Sequence, residues 1–286
     1  MSEVHHFSYG LWTPAIAYVM SCVGSLLGLL LTARARAATG ASRALWLGLG
    51  ALAIGGTGIW VMHFIAMLGF SVPGTTIRYD VPLTLASALL AVFVVGAGLF
   101  AVGFGGPRRA TLLVGGTVTG VGVASMHYTG MAAMHLTGSV GYNRGLVVLS
   151  VVIAVVAATA ALWFTTLVRG AVATVVAALI MGVAVSGMHY TGMAALRVHA
   201  NPSLTEPSGA PPADFLLPLI IAISVVTMLL LTIVAMSPNE DEMRHDAEMV
   251  ERIRRRRMAP DGDLSAYLIG RRDDSARTGR WFNGEG

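Results

Sequence analysis

The chain has little charge, a single cysteine and no lysine, and each shortage excludes something. Of 286 residues, 12% are charged and 55% hydrophobic, with a mean hydropathy of +0.70. A soluble domain carries about 25% charged residues, so a soluble globular protein is excluded. Cys22 is the sole cysteine, which rules out an intrachain disulfide; in mid-span it reads as a small packing residue. All 19 basic residues are Arg, which with abundant Ala, Gly and Val marks a GC-rich bacterial genome. Seven apolar runs, near 11–33, 44–70, 82–104, 110–134, 146–168, 171–196 and 215–236, contain no Asp, Glu, Lys or Arg. Each is long enough to cross a bilayer, which takes about 20 residues. The expected fold is all-α, a polytopic membrane bundle of seven transmembrane helices. With no carboxylate base or activated nucleophile in any run, no catalytic residue is assigned and no enzyme is expected.

A pI near 9.6 would point a soluble protein toward nucleic acid, but the arginines here follow topology. Arg34, Arg36 and Arg43 follow span 1, Arg108 and Arg109 follow span 3, Arg169 follows span 5, and ten more lie beyond span 7. The opposite side holds only Arg78, Arg144 and Arg197, partly balanced by Asp80, Glu206 and Asp214. Arginine accumulates on the cytoplasmic side. The expectation is a multi-pass bacterial inner-membrane protein with its N-terminus outside, its C-terminus in the cytoplasm and no nucleic-acid partner. Residues 1–10 lack a basic n-region and a cleavage site, so span 1 reads as a retained anchor.

A pattern recurs three times. Met62-His63 with Met67, Met126-His127 with Met131, and Met188-His189 with Met193 all read M-H-x-x-x-M, and the histidines are 64 and 62 residues apart. Spans pair as 1+2, 3+4 and 5+6, each pair ending in the motif, so the three copies are parallel repeats. Gly56, Gly120 and Gly182 stand seven residues before the histidines, and Gly58, Gly122 and Ala184 five before. Positions −7, 0 and +4 fall within about 40° on a helix, so each even span is expected to turn a Gly-His-Met face into the bundle. Each His lies about seven residues, roughly 10 Å, from its span's outer end. Three imidazoles at one depth can converge.

Intramembrane ionisable residues are rare and costly and mark function. Residues i and i+4 share a helical face, so His63 with Met67, His127 with Met131, and His189 with Met193 can offer nitrogen and sulfur to one ion. Thioethers select Cu(I) over hard ions, and the cysteines or carboxylates usual for zinc are missing from the motif. The expected metal is copper. Met62, Met126 and Met188, about 100° around the helix, are expected at the edge of the site. Tyr128 and Tyr190, with Thr129 and Thr191, can supply hydroxyls that orient ligands or, for the threonines, bond back to the helix. Met134, His135 and His199, with His5 and His6, can extend a path to the outer surface, though solvated rim positions are the simpler reading.

Span 7 (215–236) falls outside the repeat, after a Pro- and Ser-rich stretch, 200–214. The tail 237–286 starts with a helix signal, Ser237-Pro238-Asn239-Glu240, places Met243, Ala247, Val250 and Ile253 on one side, and carries Arg254–Arg257. That cluster is expected to touch anionic lipid headgroups, and the polar residues 259–286 to be disordered.

The strings Met126-His127-Tyr128-Thr129-Gly130-Met131 and Met188-His189-Tyr190-Thr191-Gly192-Met193 resemble the signature of the MHYT domain family. Met62-His63-Phe64-Ile65-Ala66-Met67 resembles a divergent first copy. The resemblance covers about residues 9–199. It implies a bacterial membrane sensor module that binds copper through His and Met and senses oxygen, carbon monoxide or nitric oxide. Many members of that family carry a cytoplasmic cyclic-di-GMP-turnover or histidine-kinase domain. The roughly 50 residues after span 7 are too few for either, so signalling is expected to pass to a separate cytoplasmic protein. Phe64 and Ile65 replace Tyr and Thr, so no hydroxyl role carries over to the first copy. The rival expectations are a copper transporter or chaperone and a metal-free scaffold.

Overall fold

The structure, a computed structural model, describes residues 8–200 and 207–236. His5, His6, residues 201–206 of the Pro- and Ser-rich stretch, and the whole tail with its helix signal and Arg254–Arg257 lie outside the described residues. The described chain is a multi-pass membrane bundle of seven long apolar helices. They are α1 (Trp12–Ala37), α2 (Gly40–Leu68), α3 (Val81–Gly105), α4 (Arg109–Ala132), α5 (Arg144–Leu167) and α6 (Ala171–Ala194). The seventh, α7 (Leu217–Met236), follows a π-helical turn, Pro212–Leu216. The spans expected from hydropathy match these bounds to within about one turn.

The repeat is visible at both ends. At the arginine-bearing end, α1–α2, α3–α4 and α5–α6 are joined by no more than three residues. Each reversal uses a left-handed glycine: Gly40 at φ 54°, Gly106 at 76° and Gly170 at 80°, a conformation open to residues without Cβ. At the motif-bearing end, four short strands staple the pairs. β1 (Arg78–Tyr79) pairs antiparallel with β2 (Met134–His135), and β3 (Gly138–Tyr142) with β4 (Leu196–Ala200). Backbone N–H groups of Ser8, Asp80 and Asn143 donate to the carbonyls of Gly69, Ala133 and Ala195 at 2.9, 2.8 and 2.8 Å. Each acceptor stands six residues after a motif histidine. Asp80 and Asn143 also cap their helices, accepting from Leu83 N at 2.7 Å and Gly145 N at 3.0 Å, as short polar side chains at N-caps do.

The helices form a closed ring in chain order, with α6 packed back against α1. Glycines set the approach. A Cβ on Gly120 would strike the backbone of Val155 in α5, and one on Gly182 would strike Cys22 and Tyr18 in α1. The glycine face therefore meets the next odd-numbered helix. This corrects the expectation that it points to the bundle interior: small residues go where backbones approach most closely. The first repeat departs by one position, for there Gly55 meets Ala91 and Val92 of α3 while Gly56 has its nearest neighbour at 3.6 Å. The cause is local. Residues Leu52–Val61 of α2 are π-helical, and the wider i→i+5 turn absorbs an extra residue. Cys22 is the packing residue its mid-span place implied.

The seventh helix packs outside the ring on α1 and α2. Thr57 and Thr227 share a hydroxyl hydrogen bond, and Arg34 donates to the Val234 carbonyl at 2.7 Å. This cover makes α2 the most buried span, 89% against 50% or less for the others.

The shifted register predicts that Gly120→Ala lowers stability by about 1–3 kcal/mol through overpacking. Gly56→Ala is expected to be neutral or slightly stabilising, since Ala is the better helix former. Apparent melting temperatures in detergent check this; equal losses at both sites would contradict the register shift.

Candidate metal centre

His63 on α2, His127 on α4 and His189 on α6 meet at the motif-bearing end, with 0–1% of each exposed. Nδ1 of His63 lies 2.9 Å from Nδ1 of His189 and 3.2 Å from Nδ1 of His127. Ring centroids are 4.9, 4.9 and 5.1 Å apart with planes at 77°, 79° and 90°. The rings form a three-bladed propeller with one nitrogen of each on its axis. Among the described residues, these three form the group of His, Cys, Asp or Glu donors able to hold a metal ion.

Protons alone do not satisfy this arrangement. A ring nitrogen carries either one hydrogen or one lone pair, so of three meeting nitrogens two must be alike, and His63 Nδ1 has a single hydrogen or lone pair to share between both neighbours. When it is shared so, the His127 and His189 nitrogens face each other lone pair to lone pair or hydrogen to hydrogen, and an unmatched buried polar group costs about 1–3 kcal/mol. A cation on the axis would satisfy three lone pairs together. All three donors are neutral, so no net negative charge is buried with it. The donor set fits a soft or borderline metal.

The far sides of the rings explain a motif residue whose role the spacing left open. A Cβ on Gly130 would collide with Nε2 of His63, and one on Gly192 with Nε2 of His127. Gly130 and Gly192 each stand three residues after the histidine of the next repeat; the matching position after His63 is Ala66. Each of these two rings thus rests on the following repeat's helix. Among the described residues, neither of those two Nε2 atoms has a hydrogen-bond partner, so packing holds the rings in place. Glycine at +3 in both complete strings was the available signal.

The aromatic residue after each histidine plays one part in all three copies. Phe64, Tyr128 and Tyr190 contact their own histidine edge-on at centroid distances of 4.7, 4.9 and 4.9 Å. The ring is common and the hydroxyl is not: Tyr128 Oη bonds Ser150 Oγ at 2.7 Å, away from the histidine. Thr191 donates back to the Gly187 carbonyl at 2.7 Å. Tyr79 in β1 packs against Phe64 from the motif-bearing end, 5.9 Å between centroids, and its burial raises the phenol pKa so that it stays neutral.

Met67, Met131 and Met193, and Met62, Met126 and Met188, are 1–2% exposed in the same core. The atoms brought into mutual contact are the three nitrogens. Met188 also lines an apolar cavity of about 50 Å³ with Ile59, Val123 and Val185, the residues four before each histidine. Met131 borders a cleft open at the motif-bearing end. His135 donates from Nδ1 to the Ser208 carbonyl, 3.0 Å away, and His199 is exposed on β4.

A membrane bundle with a buried three-histidine hub is thus defined, and sequence comparison places it. The family described as bacterial signalling protein N-terminal repeat, MHYT, matches residues 56–115, 120–178 and 182–244. The chain belongs to the MHYT family of bacterial signalling proteins. Each match begins at the glycine seven residues before a motif histidine. The chain is 39% identical over 193 residues to the bifunctional diguanylate cyclase/cyclic di-GMP phosphodiesterase MucR of Pseudomonas aeruginosa, covering 66% of this chain and 28% of that protein. It is 36% identical over 205 residues to the cyclic di-GMP phosphodiesterase NbdA of the same organism, covering 69% and 25%. It is 29% identical over 203 residues to the signaling protein YkoW of Bacillus subtilis, covering 68% and 25%. The chain thus spans about a quarter of the length of these relatives. No solved structure matches it.

Gly192→Ala should dislodge the His127 ring and cost about 1–3 kcal/mol by overpacking. Removing that ring with His127→Ala in the same chain should recover part of the loss, a coupling that a double-mutant cycle measures. Strictly additive losses would contradict the seat.

Proposed function

We propose that the chain is a non-catalytic membrane sensor whose input is a copper ion held by His63, His127 and His189, with Met67, Met131 and Met193 as thioether donors beside them. The observation that carries this reading is the convergence of three neutral Nδ1 atoms in a dry interior, where hydrogen bonding among them cannot close. Neutral nitrogen and thioether donors favour Cu(I). Cu(I) held there would bind a diatomic gas where its coordination is left open. The apolar cavity one turn beneath the histidines, lined by Ile59, Val123 and Val185, offers dry space for O2, CO or NO. In this reading the motif-bearing end faces outward and the arginine-bearing end faces the cytoplasm of a bacterial inner membrane, as the arginine distribution favours. Anionic headgroups on that side are the partner proposed for the Arg254–Arg257 cluster.

The imidazoles join three helices of different repeats, so ligation changes at the hub tilt α2, α4 and α6 against one another. With α7 packed on α2 through Thr57 and Thr227, that movement reaches the arginine-bearing end. Two relatives carry cyclic di-GMP enzyme names, and we assign this chain to the input side of such signalling, acting through a cytoplasmic signalling protein. A copper transporter or chaperone ranks lower. The cavity between the hub and the arginine-bearing end is lined by hydrocarbon, Thr119, Thr165 and two methionines of α6, without the histidines a conduit would repeat. A metal-free scaffold ranks lower still, because it leaves the axial nitrogens unmatched.

Copper analysis of the purified full chain tests the proposal. The wild type should hold copper in a fixed ratio to protein, and the His63/His127/His189→Ala triple variant should hold none. Met67/Met131/Met193→Leu should retain copper with weaker affinity. Equal copper in wild type and triple-histidine variant would overturn the reading.

A further inference from the structure

We infer that the cleft at the motif-bearing end is an outer soft-metal entry site, which holds copper only in transit and loads it into the buried hub. The inference rests on the copper reading above and assigns roles to residues outside the three motifs. The cleft has a volume of about 480 Å³ and is lined by Met131, Met134, His135 and Tyr142 among others. Three of those residues carry soft or borderline donors, and they are graded in depth. His135 is half-buried at the mouth, Met134 is 4% exposed in β2 beside it, and Met131 is 2% exposed. Met131 belongs to the cleft wall and also stands one helical turn after His127, so one turn of α4 borders the cleft and carries a hub histidine.

The histidine is prepared for a metal. Its Nδ1 lies 3.0 Å from the Ser208 carbonyl, an acceptor only, so Nδ1 carries the hydrogen and Nε2 is left with the lone pair. A second-nitrogen hydrogen bond to a backbone carbonyl is the arrangement that fixes a ligating tautomer and the ring's orientation. The pairing of β1 with β2 holds the segment in place, Arg78 opposite His135 and Tyr79 opposite Met134. The donor order is therefore His135 Nε2 and Met134 sulfur, then Met131 sulfur, then the three Nδ1 atoms. Cu(I) moves along it by ligand exchange: each new nitrogen or sulfur bond replaces an older one, with no change of oxidation state and no proton transferred.

The test uses the full chain in detergent, supplied anaerobically with the Cu(I)–acetonitrile complex, and reads both the rate of uptake and the final copper per chain. Met134→Leu keeps the volume, and His135→Gln keeps a donor toward Ser208, so both leave the strand pairing intact. The combined variant should load on the order of tenfold more slowly, the scale on which loss of supporting partners weakens metal sites, and reach the same final copper content as wild type. Uptake at the wild-type rate overturns the loading role. A lower final content also overturns it, since the residues would then belong to the buried centre. A wild type that takes up no copper defeats the copper reading itself, and that result is visible before any variant is compared.

Discussion

Three imidazole nitrogens held 2.9 and 3.2 Å apart in hydrocarbon are the constraint around which the molecule is organised. Water cannot reach them, a hydrogen-bond network among them cannot be completed, and among the described residues no carboxylate joins their cluster. Such a group is tolerated only where surrounding packing holds it or a ligand resolves it. The packing is visible: glycine seats beneath two of the rings, aromatic edges against all three, and a capping phenol on Tyr79. A ligand that accepts three lone pairs would turn the most costly feature of the bundle into its strongest joint.

The joint is also the place where the repeats meet. Close glycine contacts press α2 against α1 and α3, α4 against α3 and α5, and α6 against α1, and the motif ends are stapled by strands and by the Ser8, Asp80 and Asn143 backbone bonds. Within each pair the structure is fixed at both ends. Between pairs, the histidines bridge helices that are far apart in sequence. A change at the centre is therefore felt by all three repeats at once, which is what an input element requires of its scaffold. The asymmetry lies in the first repeat, where a π-helical stretch leads into His63, Ala66 replaces the seating glycine, Phe64 replaces tyrosine, and α7 packs alongside.

Much of this was legible in the sequence, for identifiable reasons. Hydrocarbon runs of bilayer length with no charged residue admit one reading, and the recurrence of Met-His with +4 Met at nearly equal spacing placed His63, His127 and His189 at one depth. Convergence followed from parallel repeats. The orientation of Gly120 and Gly182 was misjudged because a helical face says which residues cluster and leaves open whether they meet the axis or a neighbour. The π-helical segment left no periodic signature, since Gly55, Gly56 and Gly58 fit an α-helix equally well. The short strands were hidden because two- to five-residue pairings depend on partners at the far end of the same helix pair. Gly130 and Gly192 stood in plain view within the motif; their role needed the next repeat's ring in three dimensions.

X-ray absorption spectroscopy at the copper edge of the loaded full chain tests the central claim most directly. The account predicts a shell containing nitrogen with the multiple-scattering pattern of several imidazole rings, lost when His63, His127 and His189 are replaced together. A shell of sulfur alone, or an imidazole pattern unchanged by those replacements, would contradict it.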